Sequence, residues 1–571
     1  MQRGGTSAKR DRRVARGVQR RATFWALSLP PFLWLGLFFI VPLILMFALS
    51  FRADMHGELF SFSPTLKQYQ TIFAIGSYWR LLGISIAMAL GVAVMATALA
   101  YPVAYFLVFR AGRAAGLCLM LLLIPFWTSF LLRVMSWKFL LGSEGAINSL
   151  LIYLGIIAEP IGGLLYSRTA VIIALVYVWV PFAALPISAA LQRIQPELVE
   201  VAADLGATSW PRFWTIIFPL SFPGVLAAFS MVFIPTVGEY VTPLLVGGSR
   251  GIMFGNIIQE FFTRNANWPR GAALSVVMLA VTLLLVAFAR RFVNVKAAKM
   301  TATQSTVSEP ARFSLLTAYF VALIVLLYLP LAVLLLFSLN AGTSLSFPLQ
   351  GLTLNWYEQV FSSPALLRSA GNSILVAAGS SLCATALGTA VALLLMRFSF
   401  RGDKLLFALA MLPLVVPVVI LAVALLVLFL ATGIDRSLWT VAIAHTVVAL
   451  PYVILIVAAG LAGFDSDLEE AAMDLGAPYG RVLLNVVLPL IAPSILSAWL
   501  VAVTVSLDEF ALALFLTGTE QTFPVYLFGQ LRYASRLPVM IAFAVLMMMG
   551  TLLLVLIAEW IRRRGQPGKV G

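Results

Sequence analysis

Hydrophobic and polar positions in this chain are sorted into long blocks rather than mixed residue by residue. Apolar stretches lie near 24–51, 81–109, 116–141, 169–192, 217–240 and 268–290. A second set lies near 314–339, 369–396, 405–431, 438–461, 488–512 and 536–561. As helices, runs of about 20 residues cross a hydrocarbon layer of about 30 Å. A backbone in lipid has no water to bond, so each run is expected to satisfy itself as a helix. The predicted fold class is all-α, a polytopic membrane protein with about twelve transmembrane helices.

The two sets are copies of one unit. Tyr69, Phe73 and the run Ala96-Thr97-Ala98-Leu99 recur 288 positions later as Tyr357, Phe361 and Ala384-Thr385-Ala386-Leu387. Pro181, Gly206 and Pro219 recur 270 positions later as Pro451, Gly476 and Pro489. An even number of spans per copy keeps both copies in one orientation, so the repeats are parallel. The change of offset places the first copy's extra residues around 143–167. The expected organisation is a basic tail over 1–23, a first membrane domain over 24–292, a polar linker over 293–312 and a second membrane domain over 313–571.

Composition names the solvent. The 571 residues are 61% hydrophobic and 11% charged, against about 25% charged in soluble domains. The net charge of +15 is a topology signal: 25 of the 38 Lys/Arg fall in the tail and in loops on its side of the membrane, and 9 in the opposite loops. That bias puts both termini in the cytoplasm of a multi-pass inner-membrane protein. It also leaves no aromatic-interleaved basic surface for nucleic acid. The first apolar stretch is too long for a signal-peptide core, and is read as a retained span. Cys118 and Cys383 lie in apolar runs, there is no HExxH, and there is no GxxxxGK[ST] phosphate loop. No metal, cofactor or catalytic cluster is expected; the chain is read as a transport subunit, not an enzyme.

Between the fourth and fifth spans each copy carries a polar loop, Pro196–Gly206 and Ser466–Gly476. Both loops are predicted as short helices. Pro196 suits a first helical position, Ser466 with Glu469 suits a capping box, and Gly206 and Gly476 suit the left-handed residue after a helix. Leu198, Val201, Ala202 and Leu205, and likewise Leu468, Ala471, Ala472 and Leu475, form one apolar stripe in a water-facing helix. Such a stripe requires cover, either from the membrane face of its own domain or from a partner protein. Its duplication favours a two-fold partner.

The pattern E-x-A-x-D-L-G-A, followed at a fixed gap by Pro219 or Pro489, resembles the EAA loop of binding-protein-dependent ABC importer permeases. The resemblance implies two six-helix importer-permease repeats, coupled to two copies of a separate ABC ATPase and served by a periplasmic solute-binding protein. It implies that Glu200, Ala202, Asp204 and Gly206, with Glu470, Ala471, Ala472, Asp474 and Gly476, engage the ATPase. Copy one has Val201 where the first Ala is usual.

Charge within a span is costly and marks function by default. Gly238-Glu239-Tyr240 near the end of the fifth span is matched 270 residues later by Asp508-Glu509-Phe510. These acids either line a solute path with Tyr240 and Phe510, or cap helices and pair with Arg133 or Lys138. The runs Pro125–Phe130, Gly145–Leu150 and Gly238–Pro243 resemble the first permease subunit of spermidine/putrescine importers, and Ser506–Phe510 resembles the second. The resemblance implies both subunits in one polypeptide, with a polyamine or similar small cation as solute; ferric iron, opines and phosphonates are alternatives in the wider family. A twelve-span secondary transporter is the competing class, but it predicts no amphipathic loop helix after span four. His445, alone among apolar residues, is expected to be a packed, hydrogen-bonded residue.

Overall fold

The computed structural model describes residues 22–53, 64–265, 267–290, 315–343 and 349–564. Residues 1–21 of the expected tail over 1–23, the linker over 293–312 and the last seven residues lie outside the described residues. The first half contains α1 (Ala22–Leu49), α2 (Lys67–Ala74), α3 (Gly76–Phe109), α4 (Ala115–Leu123), α5 (Phe130–Leu141), α6 (Ala146–Tyr153), α7 (Arg168–Leu191), α8 (Pro196–Asp204), α9 (Ser209–Val237), α10 (Phe254–Thr263) and α11 (Trp268–Arg290). The second contains α12 (Leu315–Ser338), α13 (Asn355–Phe361), α14 (Pro364–Arg397), α15 (Asp403–Met411), α16 (Val418–Ala431), α17 (Leu438–Ala462), α18 (Asp467–Asp474), α19 (Tyr479–Asp508), α20 (Ala511–Leu516), α21 (Phe523–Gln530) and α22 (Leu537–Arg564). No strand occurs among the described residues; an isolated bridge joins Asn340 and Leu352.

Among the described residues ten helices are long and apolar enough to span a membrane, and counting each of two bent pairs as one span brings the total to twelve. The third apolar run of each half is not one straight helix. The segment at 112–153 is bent by 81° between Phe126 and Phe130, and that at 403–431 by 101° between Leu414 and Val418. Prolines cause the second break: Pro413 and Pro417 lack the N–H that would continue the ladder, and Pro417 takes extended backbone at ψ 133°. In the first half Pro125 plays the part of Pro413, and Ser129, the counterpart of Pro417, holds the same extended angle at ψ 133°.

Within each half the three long helices α3, α7 and α9, or α14, α17 and α19, pack on one another. Small residues make this possible where lipid removes the hydrophobic drive between helices. Ala89, Ala93, Ala96, Ala100 and Ala104 make one wholly buried face of α3. Gly388 lets α14 lie against Val453, and Gly224 lets α9 lie against Ala190; a Cβ at either would sit under 3.0 Å from that neighbour. The outer faces, with Leu33, Leu284 and Leu382 each more than half exposed, are left to lipid.

The repeat is visible in individual hydrogen bonds. Ser50 Oγ meets Tyr69 OH at 2.7 Å, and Ser338 Oγ meets Tyr357 OH at 2.7 Å. Ser85 Oγ accepts from Phe254 N at 2.7 Å, and Ser373 Oγ accepts from Phe523 N at 2.8 Å. Ser167 and Ser437 begin α7 and α17. The first copy's surplus residues fall between Ser143 and Ser167, where they include α6, which has no counterpart in the second half.

The first helix of each half crosses to the other. α1 lies along α16, and Phe24 at its start packs its ring against Phe398 and Phe400 at 5.6 and 5.3 Å. α12 lies on α3, α4 and α5. There Tyr319 OH donates to Leu99 O (2.8 Å), Tyr328 OH to Leu121 O (3.0 Å), and Tyr177 OH of α7 to Leu327 O (2.9 Å). These bonds satisfy phenol groups that lipid would leave unpaired.

Candidate functional site

Two regions gather the residues singled out in the sequence. The first comprises the loop helices α8 and α18. Gly206 and Gly476 have φ of 83° and 92°. Around them Gly206 N donates to Ala203 O and Ala207 N to Ala202 O; Gly476 N donates to Met473 O and Ala477 N to Ala472 O. This is the Schellman closure, built twice. The apolar stripes face outward: Leu198, Val201 and Leu205 are 42%, 56% and 83% exposed, and Leu468 and Leu475 are 47% and 91% exposed. Ala202 and Ala472 are half-buried, whereas Ala471, Glu200, Asp204, Glu470 and Asp474 are exposed. The cover these stripes need is therefore not supplied by the described parts of the chain.

The capping box expected from Ser466 and Glu469 does not form. Ser466 is helical at φ −66° and ψ −21° and makes no side-chain cap. Glu469 instead turns inward to Arg397 at the end of α14, with Nε–Oε1 at 2.7 Å. No N–H is aligned on that oxygen, so the contact is an ion pair rather than a directed hydrogen bond. The Arg397 guanidinium also lies over the Phe464 ring at 5.1 Å. An inward carboxylate with a cation beside it gains more than one capping a solvated amide. The equivalent positions in the first half are Phe109 and Val199, both apolar and packed on the core.

The second region lies between the halves, at the far end of α9 and α19 from the loop helices. Glu239 Oε1 accepts from Val241 N and Thr242 N, both at 2.9 Å, and caps the turn of helix that follows. Glu509 Oε1 accepts from Leu512 N at 2.9 Å and does the same for α20. Asp508 accepts from the backbone N–H of Phe130 and pairs with Arg133, Nη2–Oδ2 3.6 Å, both groups belonging to the first half. Tyr240 OH crosses the other way to Ala511 O at 2.9 Å, and Phe510 packs against Phe528. Glu509 lies within electrostatic reach of Asp508 and Glu239. The region thus brings together all five residues expected on a solute path, and it also gives each carboxylate a protein partner. His445 is buried, with Nδ1 2.8 Å from Ser506 Oγ, a packed histidine as expected.

Sequence reasoning offered Arg133 as a partner for the span acids and Glu469 for a cap, but it did not single out Asp508 as the acid that Arg133 meets or Arg397 as the partner of Glu469. The signal was present in the repeat itself. Their counterparts are apolar or small, and a mismatch between otherwise aligned copies marks where the halves have diverged in role.

The comparisons with known proteins agree with this architecture. The family model described as binding-protein-dependent transport system inner membrane component matches residues 4–302 and 384–566. The spermidine/putrescine transport system permease protein PotB of Escherichia coli (strain K12) is 34% identical over 266 residues, covering 46% of this chain and 96% of that protein. PotC of Haemophilus influenzae, the permease protein of the same kind of system, is 33% identical over 256 residues, covering 44% of this chain and 98% of that protein. Among solved structures, a bacterial alginate ABC transporter in complex with an alginate-bound periplasmic protein aligns with a TM-score of 0.38 at 18% identity, covering 45% of this chain and 94% of that one. PotB and PotC, matched over nearly their whole lengths, thus each cover under half of this chain, as two permeases joined in tandem require. The chain belongs to the family of inner-membrane components of binding-protein-dependent ABC importers, and it carries the permease unit twice.

Proposed function

We propose that this chain is the complete translocation pathway of an ATP-driven importer, which takes a polyamine or similar small cation from a periplasmic binding protein and releases it to the cytoplasm. The two halves, 24–292 and 313–571, are joined by the linker at 293–312, with both termini cytoplasmic. Two copies of a separate ATPase seat on α8 and α18, contacting Glu200, Ala202, Asp204 and Gly206 on one and Glu470, Ala471, Ala472, Asp474 and Gly476 on the other. The observation that carries this reading is the pair of exposed apolar stripes at equivalent positions, from Leu198 to Leu205 and from Leu468 to Leu475. Closure of the ATPases moves the loop helices, and the long helices rigidly joined to them rock the halves.

The solute class rests on charge and kinship. Glu239, Asp508 and Glu509, flanked by Tyr240 and Phe510, bring three carboxylates to the shared interface near Arg133. The similar proteins PotB and PotC are named for spermidine and putrescine. Ferric-iron, opine and phosphonate systems are the other solute classes in the wider family.

The test is reconstitution of the chain with its ATPase and binding protein in vesicles. Labelled putrescine should accumulate only with ATP and loaded binding protein, and a hydrolysis-dead ATPase should abolish it. Uptake that survives the dead ATPase would refute the importer reading. Coupled uptake of a different ligand, identified from the binding protein, would refute the cation.

A further inference from the structure

We propose that Asp508 together with the Phe126 and Phe130 rings forms a seat for an alkylammonium group of the solute, and that Arg133 is its resident counter-ion, displaced from Asp508 during passage. The proposal rests on the reading of a cationic solute.

The chemistry of the seat is that of a cation site. The Arg133 guanidinium stands 5.4 Å from the Phe126 ring centre and 5.9 Å from that of Phe130, with its Nη2 3.6 Å from Asp508 Oδ2. Ring faces and a carboxylate in a dry setting are what hold an alkylammonium ion. A small cavity adjoins the seat, lined from the first half by Ser129 and Leu132 and from the second by Thr504, Leu507 and Asp508. It therefore lies where the halves meet.

The pair is poorly explained as a stabilising device. Arg133 is 3% exposed, its Nε has no hydrogen-bond partner among the described residues, and its contact with Asp508 is longer than a tight ion pair. Buried pairs of this kind rarely add net stability, and their better-attested use is in register and switching. The protein itself contains the comparison. At the equivalent contact on the other side of the repeat axis, Leu421 replaces Arg133, Gly238 replaces Asp508, Leu414 and Val418 replace the two rings, and Gly238 packs directly against Pro417. The same fold closes there without charge. The ionic contact is thus dispensable for architecture and present on one side only, as expected of a station a charged solute visits.

The experiment is chemical rescue, using putrescine as the probe and the full chain in nanodiscs. Arg133→Ala leaves Asp508 without its cation. Putrescine should then raise the unfolding temperature of this variant in a saturable way, while wild type and the double variant Arg133→Ala/Asp508→Asn shift little. Equal shifts in all three, or none in any, overturn the proposal. Should Arg133→Ala fail to accumulate, Arg133→Leu, the residue the fold already accepts at 421, presents the same unpaired carboxylate, and absence of rescue there is equally decisive. The outcome separates from that of vesicle uptake. Putrescine uptake without rescue removes the seat and leaves the importer, whereas rescue without uptake keeps the cation seat and removes putrescine as the solute.

Discussion

The Arg397–Glu469 pair offers a quantitative test because the protein contains its own control. Both side chains are largely buried, 14% and 8% exposed, and they fasten α18 to the end of α14. Removing one partner of a buried pair costs about 3–5 kcal/mol, because the other charge is stranded. Here Glu469→Val leaves Arg397 over the Phe464 ring, a contact worth about 1 kcal/mol, so the net loss should be about 2–4 kcal/mol. Replacing both residues by their first-half counterparts, Arg397→Phe with Glu469→Val, installs the apolar arrangement of Phe109 and Val199. Such a swap is expected to lie within about 1 kcal/mol of wild type. A double-mutant cycle on unfolding in detergent should therefore give a coupling of at least about 4 kcal/mol. The same variants, assembled with the ATPase, should order their ATP-coupled uptake as they order their stability. A double variant no better than the worse single variant, or single variants indistinguishable from wild type, would refute the claim that the charge pair substitutes for an apolar one.

Three further outcomes are expected. Valine at Gly206 and Gly476 meets open space but must adopt a left-handed backbone at about 1–2 kcal/mol each; the chain should fold and insert while ATP hydrolysis separates from uptake, and full coupled transport would count against the contact with the ATPase. Neutralising Glu239 and Glu509 together to Gln keeps a cap acceptor but removes two charges, so uptake of a cationic solute should slow, and should lose its sensitivity to ionic strength; unchanged rates at every salt concentration remove these acids from the path. Tyr240→Phe deletes the hydroxyl that donates to Ala511 O across the halves, costing about 1 kcal/mol; since the equivalent Phe510 is already a phenylalanine, uptake should persist while the unfolding temperature falls.

The sequence made the spans, the repeat and the loop helices legible because each is written locally. Twenty apolar residues, a proline at a first turn and a glycine where φ must be positive announce themselves within a few positions. The kink in the third span was half legible: Pro413 and Pro417 are warnings, but Ser129 adopts the same extended backbone without a proline, imposed by packing. The capping box failed for a different reason. Ser466 and Glu469 had the right spacing, but a cation 72 positions upstream in sequence, Arg397, offered the carboxylate a better partner. The Arg133–Asp508 contact joins positions from opposite halves, and no periodicity within either half announces it. Arg133 is among the partners the sequence offers for the span acids, and the departure from symmetry, Leu421 against Arg133 and Gly238 against Asp508, marks Asp508 as the one it meets.

The crossing of α1 and α12 bears on how such a protein is made. α1 emerges from the ribosome hundreds of residues before α16, the helix it finally rests on. At about 5–20 residues per second that interval is tens of seconds. During it the first helix must sit in the bilayer with its neighbour from the second half still unmade. Joining both halves in one polypeptide guarantees that each embracing arm finds its counterpart in the same molecule, at equal numbers and without a search through the membrane.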